Sequence, residues 1–225
     1  MRRVALAALL TALFAGCSGG HQQAGPPAHR IVVAALGDSV TAGSPGYDPD
    51  PAQRKLLGFG SDVKSQWEYW AERRDPRLRF RNCGVYGERA DQIARRLAGC
   101  ARGADALIVQ AGINDIAQGR PIARVAANLR GMVRRGRKLG LRVALADVLP
   151  WNNGWPAAEQ KIRHLNELSR QITEDEGVQL LAFHDTLEDP DRPGRMREEW
   201  TSDGDHPSVE GYRRLGEVAF RPFWI

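Results

Sequence analysis

Lysine is scarce in this chain, occurring only at 55, 64, 138 and 161; the other basic residues are arginine. We read this as genome composition and attach no function to it. The net charge is +5, and without Arg2 and Arg3 the balance is 30 basic against 27 acidic residues, or +3. So small an excess is too weak to argue for a nucleic-acid partner. No apolar run reaches membrane-spanning length; the longest, 4–14, is too short. There is no internal repeat and no break that would mark a second domain. The serine elbow Gly-x-Ser-x-Gly is also missing, since Thr41 stands where its second glycine would be.

What is present begins with an address. Arg2-Arg3, the apolar stretch 4–14 and Ala15-Gly16-Cys17 have the layout of a secretory signal. The small residues before Cys17 resemble a bacterial lipobox, which implies cleavage there and lipidation of Cys17. Ser18 after it resembles an outer-membrane sorting signal where such a membrane exists. Residues 18–30 contain Gly19-Gly20 and Pro26-Pro27 without apolar periodicity, and read as a flexible tether. The expected organisation is a signal peptide at 1–16, a lipidated cysteine and tether at 17–30, and one domain at 31–225. That domain is expected outside the cytoplasm, held at a membrane by acyl chains.

Short apolar runs at 31–36, 78–83, 106–110, 142–148 and 178–183 read as strands. Helical spacing lies between them. Ile93 and Leu97 are four apart. Ile122, Val125, Leu129, Met132, Val133 and Leu139 form a stripe after Pro121, a favoured first helical residue. Ile162, Leu165, Leu168 and Ile172 form another. Tyr212, Leu215 and Ala219 form a third, with Ser208 as its N-cap. Alternating strands and helices predict an α/β fold with a parallel sheet covered on both faces. Sites in such sheets lie at the carboxyl ends of the strands. Segment 44–65, with Tyr47 and Phe59 as its aromatics, has no strong period; it reads as a long loop overhanging that edge. Cys83 falls at a strand end, whereas Cys100 follows the returning helix. A ten-residue helix covers roughly 15 Å, and a disulfide needs Cα atoms about 4.4–6.8 Å apart. The two are therefore expected to stay unbridged.

Gly37-Asp38-Ser39, Gly112-Ile113-Asn114-Asp115 and Asp203-Gly204-Asp205-His206-Pro207 supply the chemistry. Ser39 follows the first strand as a candidate nucleophile, with Gly37 permitting close backbone approach. His206 is the candidate general base, because Asp203 three residues earlier can fix its tautomer and direction. Asp205, adjacent to the histidine, is the weaker orienter. His164 reads as solvated, and His184 is a rival base at the same sheet edge. Asn114 is a neutral donor suited to an oxyanion hole; the competing reading is a turn or helix cap. Together these are the parts of a serine acyl hydrolase.

The motifs resemble those of the GDSL/SGNH hydrolase family. Gly37-Asp38-Ser39 matches its first block, and Asn82-Cys83-Gly84 followed by Gly87 its second. Gly112-Ile113-Asn114-Asp115 matches its third, and Asp203-Gly204-Asp205-His206-Pro207 its last. The resemblance implies a flavodoxin-like three-layer α/β/α sandwich around a five-stranded parallel sheet, with no metal and no cofactor. It implies a Ser39–His206–Asp203 triad and an oxyanion hole made by Ser39 N–H, Gly84 N–H and Asn114. The implied partner is a lipid, carbohydrate or small-molecule ester, and the chain is expected to be monomeric. Tyr47, Trp151 and Trp155 are candidate substrate contacts; the tryptophans stack a sugar, line an acyl pocket or merely fill their loop. The arginines at 124, 130, 134, 135 and 137 read as a solvated helix face. An acyltransferase with the same residues, or a non-catalytic binding lipoprotein, are the alternatives; product analysis with added acceptors and serine-reactive probes separate them.

Overall fold

A computed structural model of the protein describes residues 30–223. The signal segment, Cys17 and nearly all of the tether lie outside the described residues. Five strands form one parallel sheet: β1 (Ile31–Gly37), β2 (Leu78–Gly84), β3 (Ala106–Gln110), β4 (Arg142–Ala146) and β5 (Gln179–Leu181), in the order β2-β1-β3-β4-β5. The helices are α1 (Ser39–Ala42), α2 (Pro51–Leu57), α3 (Trp67–Arg74), α4 (Ala90–Cys100), α5 (Ile113–Ala117), α6 (Ile122–Lys138), α7 (Glu159–Glu176), α8 (Phe183–Leu187) and α9 (Val209–Ala219). A small antiparallel hairpin of β6 (Glu188–Asp189) and β7 (Arg192–Met196) follows α8.

The apolar runs are continuous because the sheet is buried on both faces. Ala34 and Leu36 of β1, Leu107 and Val109 of β3 and Leu145 of β4 pack under α4, α6 and α7. Val33, Ala35, Ala106, Ile108, Ala144 and Ala146 face α3, α8 and α9. Trp67, Phe183 and Tyr212 are the largest buried side chains on that second face. Cutting a buried leucine such as Leu36 or Leu145 to alanine would cost about 2–5 kcal/mol. The sheet order reverses direction between β1 and β3, since β2 lies on one side of β1 and β3 on the other. A crevice opens at the carboxyl end of such a switch point.

Several expectations need correction. Cys83 and Cys100 are joined by a disulfide, with Cα atoms 6.1 Å apart. Residues 85–89 carry the chain past the strand end before α4 begins. Helix α4 starts beside Asp115, whose carboxylate accepts the Ala90 N–H at 2.8 Å. It therefore spends its length returning to the level of β2 rather than passing beyond it. Arg81 of β2 donates to the Cys100 carbonyl at 2.7 Å, which fixes that level. Segment 44–65 is not structureless: it holds α2 and a 3₁₀ turn at Val63–Ser65. Helix α2 buries none of its residues, so no apolar period could mark it. Pro121 caps α6 rather than entering it, and Leu139 lies past the helix end, exposed. Three of the five arginines are not simply solvated: Arg130, Arg134 and Arg137 converge on Glu176 of α7 at 2.7–3.3 Å.

Candidate active site

The turn that presents Ser39 is built by buried polar groups. Asp38 caps α1, its Oδ1 accepting the Val40 N–H at 3.0 Å. Gln110, the last residue of β3, donates to Asp38 Oδ2 at 3.2 Å and accepts the Thr41 hydroxyl at 2.9 Å. Burial pushes the Asp38 carboxyl up to about 6, against the Val40 and Gln110 hydrogen bonds that lower it. A Cβ on Gly37 would fall on the Thr41 side chain, so only glycine lets strand and helix meet this closely.

The turn that presents His206 is shaped by one carboxylate. Asp203 Oδ1 accepts the backbone N–H groups of Asp205 and His206 at 2.9 and 2.7 Å. Its Oδ2 lies 2.8 Å from His206 Nδ1. Burial alone would raise the Asp203 carboxyl; the His206 ring and these N–H groups outweigh it and hold the group near 2. Ser208 caps α9, accepting from Gly211 N–H, and Pro207 is buried. On the other side of the ring, His206 Nε2 lies 3.0 Å from Ser39 Oγ. A continuous chain, Asp203–His206–Ser39, thus joins residues 167 positions apart.

Ser39 opens into a cleft of about 230 Å³ lined by Tyr86, Gly87, Ile113, Asn114, Trp151 and His206 among others. Asn114 Nδ2 donates to the Glu88 carbonyl at 3.0 Å, so the amide is oriented and faces the cleft. Asp115 caps α4, and burial raises its carboxyl. The cap reading therefore belongs to Asp115, while Asn114 lines the cleft.

Gly84 requires correction. Its N–H donates to Asn82 Oδ1 at 2.9 Å, and it does not line the cleft. A Cβ there would fall on the Ala42 backbone, so this glycine serves the packing of α1 on β2. Gly87 lines the cleft instead, with φ +76° and open space where a Cβ would be. Among the described residues, neither the Gly87 nor the Ser39 N–H has an acceptor. The second glycine of the motif was visible in the sequence; its backbone direction was not.

The other expected residues divide. Trp151 lines the cleft, its Nε1–H donating to Asp205 Oδ1 at 2.6 Å. Asp205 therefore holds Trp151 and leaves the ring of His206 to Asp203. Trp155 lies outside the cleft with Arg195 over its ring at 5.4 Å, and Tyr47 outside it with Arg54 at 5.4 Å. His164 is exposed, as expected. His184 is buried beside Asp147, not against Ser39; burial pushes that carboxyl up to about 7. The sequence reading missed Tyr86, which stacks on His206 at 6.2 Å and meets Phe59 edge-on at 5.1 Å. It also missed Arg96. This guanidinium takes the Cys83 and Gly37 carbonyls at 2.7 and 3.1 Å, tying the ends of β1 and β2 together.

A sequence model of the GDSL-like lipase/acylhydrolase family matches residues 35–214. The chain belongs to that family. The resemblance to that family therefore stands, as does an ester-hydrolysing activity. Among solved structures, a lipolytic protein of the G-D-S-L family from Desulfitobacterium hafniense is 22% identical. The match covers 86% of this chain and 99% of that one, with a TM-score of 0.71. A G-D-S-L family protein from Veillonella parvula is 19% identical over 86% and 98% of the two chains, with a TM-score of 0.68. An acetyl-xylooligosaccharide esterase variant from Geobacillus is 17% identical over 88% and 95%, with a TM-score of 0.66. At these identities the likeness is one of fold, and that fold is the expected sandwich. No curated protein matches the chain in sequence.

Proposed function

We propose that this GDSL-family hydrolase works through a Ser39–His206–Asp203 triad and an acyl-enzyme. The observation that carries the reading is the pair of contacts on the two His206 nitrogens, 2.8 Å to Asp203 and 3.0 Å to Ser39. Ser39 Oγ forms a bond to the ester carbonyl carbon as its proton passes to His206 Nε2. The negative charge that collects on the carbonyl oxygen is met by Ser39 N–H, Gly87 N–H and Asn114 Nδ2. Donors aimed at charge that exists only in the transition state contribute more to rate than to binding. The C–O bond to the alcohol then breaks, and His206 returns its proton to the leaving oxygen. Water repeats the sequence on the acyl-Ser39 ester, releasing the acid and restoring the hydroxyl. Asp203, held as a carboxylate, stabilises the imidazolium formed in each half.

A fluorophosphonate probe tests this directly. The wild type is expected to be labelled and to hydrolyse p-nitrophenyl acetate. Ser39→Ala is expected to fold, as judged by circular dichroism, yet lose both labelling and nearly all turnover. Retained turnover in that variant would sink the triad.

We also propose that the enzyme acts as a monomer outside the cytoplasm, tethered through lipidated Cys17. The lipobox-like sequence supports the anchor, and the Cys83–Cys100 disulfide supports an oxidising compartment. Fractionation should find the wild type with membranes and Cys17→Ser in the soluble fraction. An unchanged distribution would remove the anchor from the reading.

A further inference from the structure

Two cavities meet at Trp151. The catalytic cleft has Ala117 and Trp151 in its wall. A second cavity of about 240 Å³ shares both residues and continues past Gly154, Ala157 and Lys161. The indole therefore stands as a partition between them, and it is held there from two sides. Its Nε1–H is bonded to Asp205 Oδ1, which also receives Asn153 Nδ2 at 2.7 Å. Its ring lies so close over Gly154 that a Cβ at that position would fall on it.

The direction of the substrate follows from the polar groups. The leaving oxygen must face His206 Nε2, and the carbonyl oxygen must face Asn114 and Gly87. The acyl chain is left the apolar lining of the cleft, Val40, Tyr86, Ile113, Ala117 and Trp151, of which Ala117 and Trp151 also border the second cavity. Resting on the serine esterase proposed above, we infer that Trp151 is the specificity-determining wall of the acyl site. It restricts the enzyme to esters of short acyl groups by standing between the cleft and the open depression that would take longer ones. Asp205, itself in the cleft lining, holds the indole in place through its Nε1–H.

The test is kcat/KM for the p-nitrophenyl esters of acetate, butyrate and octanoate. The wild type is expected to favour acetate over octanoate by about tenfold or more, the range that methylene-scale misfit produces in a hydrophobic pocket. Trp151→Ala should shift the octanoate-to-acetate ratio of kcat/KM upward by about tenfold or more. Adding Ala157→Phe refills the second cavity and should restore the preference for acetate. If Trp151→Ala does not fold, Trp151→Leu lowers the same wall with less loss of packing and is read in the same way. An unchanged ratio in a folded variant, or a wild type that already prefers octanoate, overturns the inference while leaving the esterase intact. A folded wild type that neither hydrolyses these esters nor reacts with the fluorophosphonate overturns both.

Discussion

Asp203 serves two purposes with its two oxygens: one shapes the turn and the other orients the ring. Its spacing from His206 made it legible in the sequence. The glycines of the second motif were not separable there, because their difference lies in where the backbone N–H points. Gly84 and Gly87 are therefore expected to fail differently. Gly84→Ala drives a methyl into the Ala42 backbone and should cost about 1–3 kcal/mol of stability. Gly87→Ala meets no collision, but its φ of +76° disfavours a side chain, at about 1–2 kcal/mol. Any resulting shift of its N–H would weaken the proposed oxyanion donor, a group worth up to about 10²–10³ in rate. Thermal melts alongside kcat should show Gly84→Ala mainly as a lower Tm and Gly87→Ala mainly as a lower kcat. The reverse pattern would return the donor role to Gly84. Gln110, Thr41 and Arg96 left no signal, since each acts through a partner distant in sequence.

At the scale of elements, the five strands were readable because burial on both faces writes them as unbroken apolar runs. Their ends were less so: β4 stops at Ala146 and β5 is only Gln179–Leu181. Helix α2 was invisible for the opposite reason, since it turns no side chain into the core. The disulfide was not legible because α4 starts on the far side of the 85–89 loop and not at the strand end, so its length brings Cys100 back to Cys83. It fastens the end of α4 to the end of β2 across a separation of 17 residues. Closing a loop of this size stabilises a protein by about 3 kcal/mol through the unfolded chain. A Cys83→Ser/Cys100→Ser variant should therefore melt about 6–12 °C lower. Ester turnover at 25 °C should persist, since Arg96 still ties Cys83 O to Gly37 O. A Tm unchanged by the double substitution would show that the bridge adds nothing to the packing around it.

For the whole molecule, buried carboxyls set the dependence of stability on pH. Burial raises Asp38 to about 6 and Asp147 to about 7, from 3.8. Between roughly pH 4 and 7 the native state thus holds more protons on these groups than the unfolded chain does. Their contribution makes unfolding free energy fall as pH rises through that window, then level off. Asp203 acts with the opposite sign: its contribution is present above 3.8 and is lost as pH falls toward 2. Urea unfolding at pH 4.5, 6 and 7.5 should show Asp147→Asn gaining on the wild type as pH rises. A parallel pH profile for the two would remove Asp147 from this account. The strand and helix layers of the domain were legible from periodicity, but such buried acids were not, because a sequence does not show which carboxyls lose their water. The distance along the chain between Ser39 and His206 has a further consequence. His206 arrives with the last turn before α9, which packs against α3 through Gly216. In the proposed triad, a growing or clipped polypeptide that stops short of His206 carries Ser39 without the base that would activate it. On the proposed triad, ester turnover therefore waits until the chain has been made through His206.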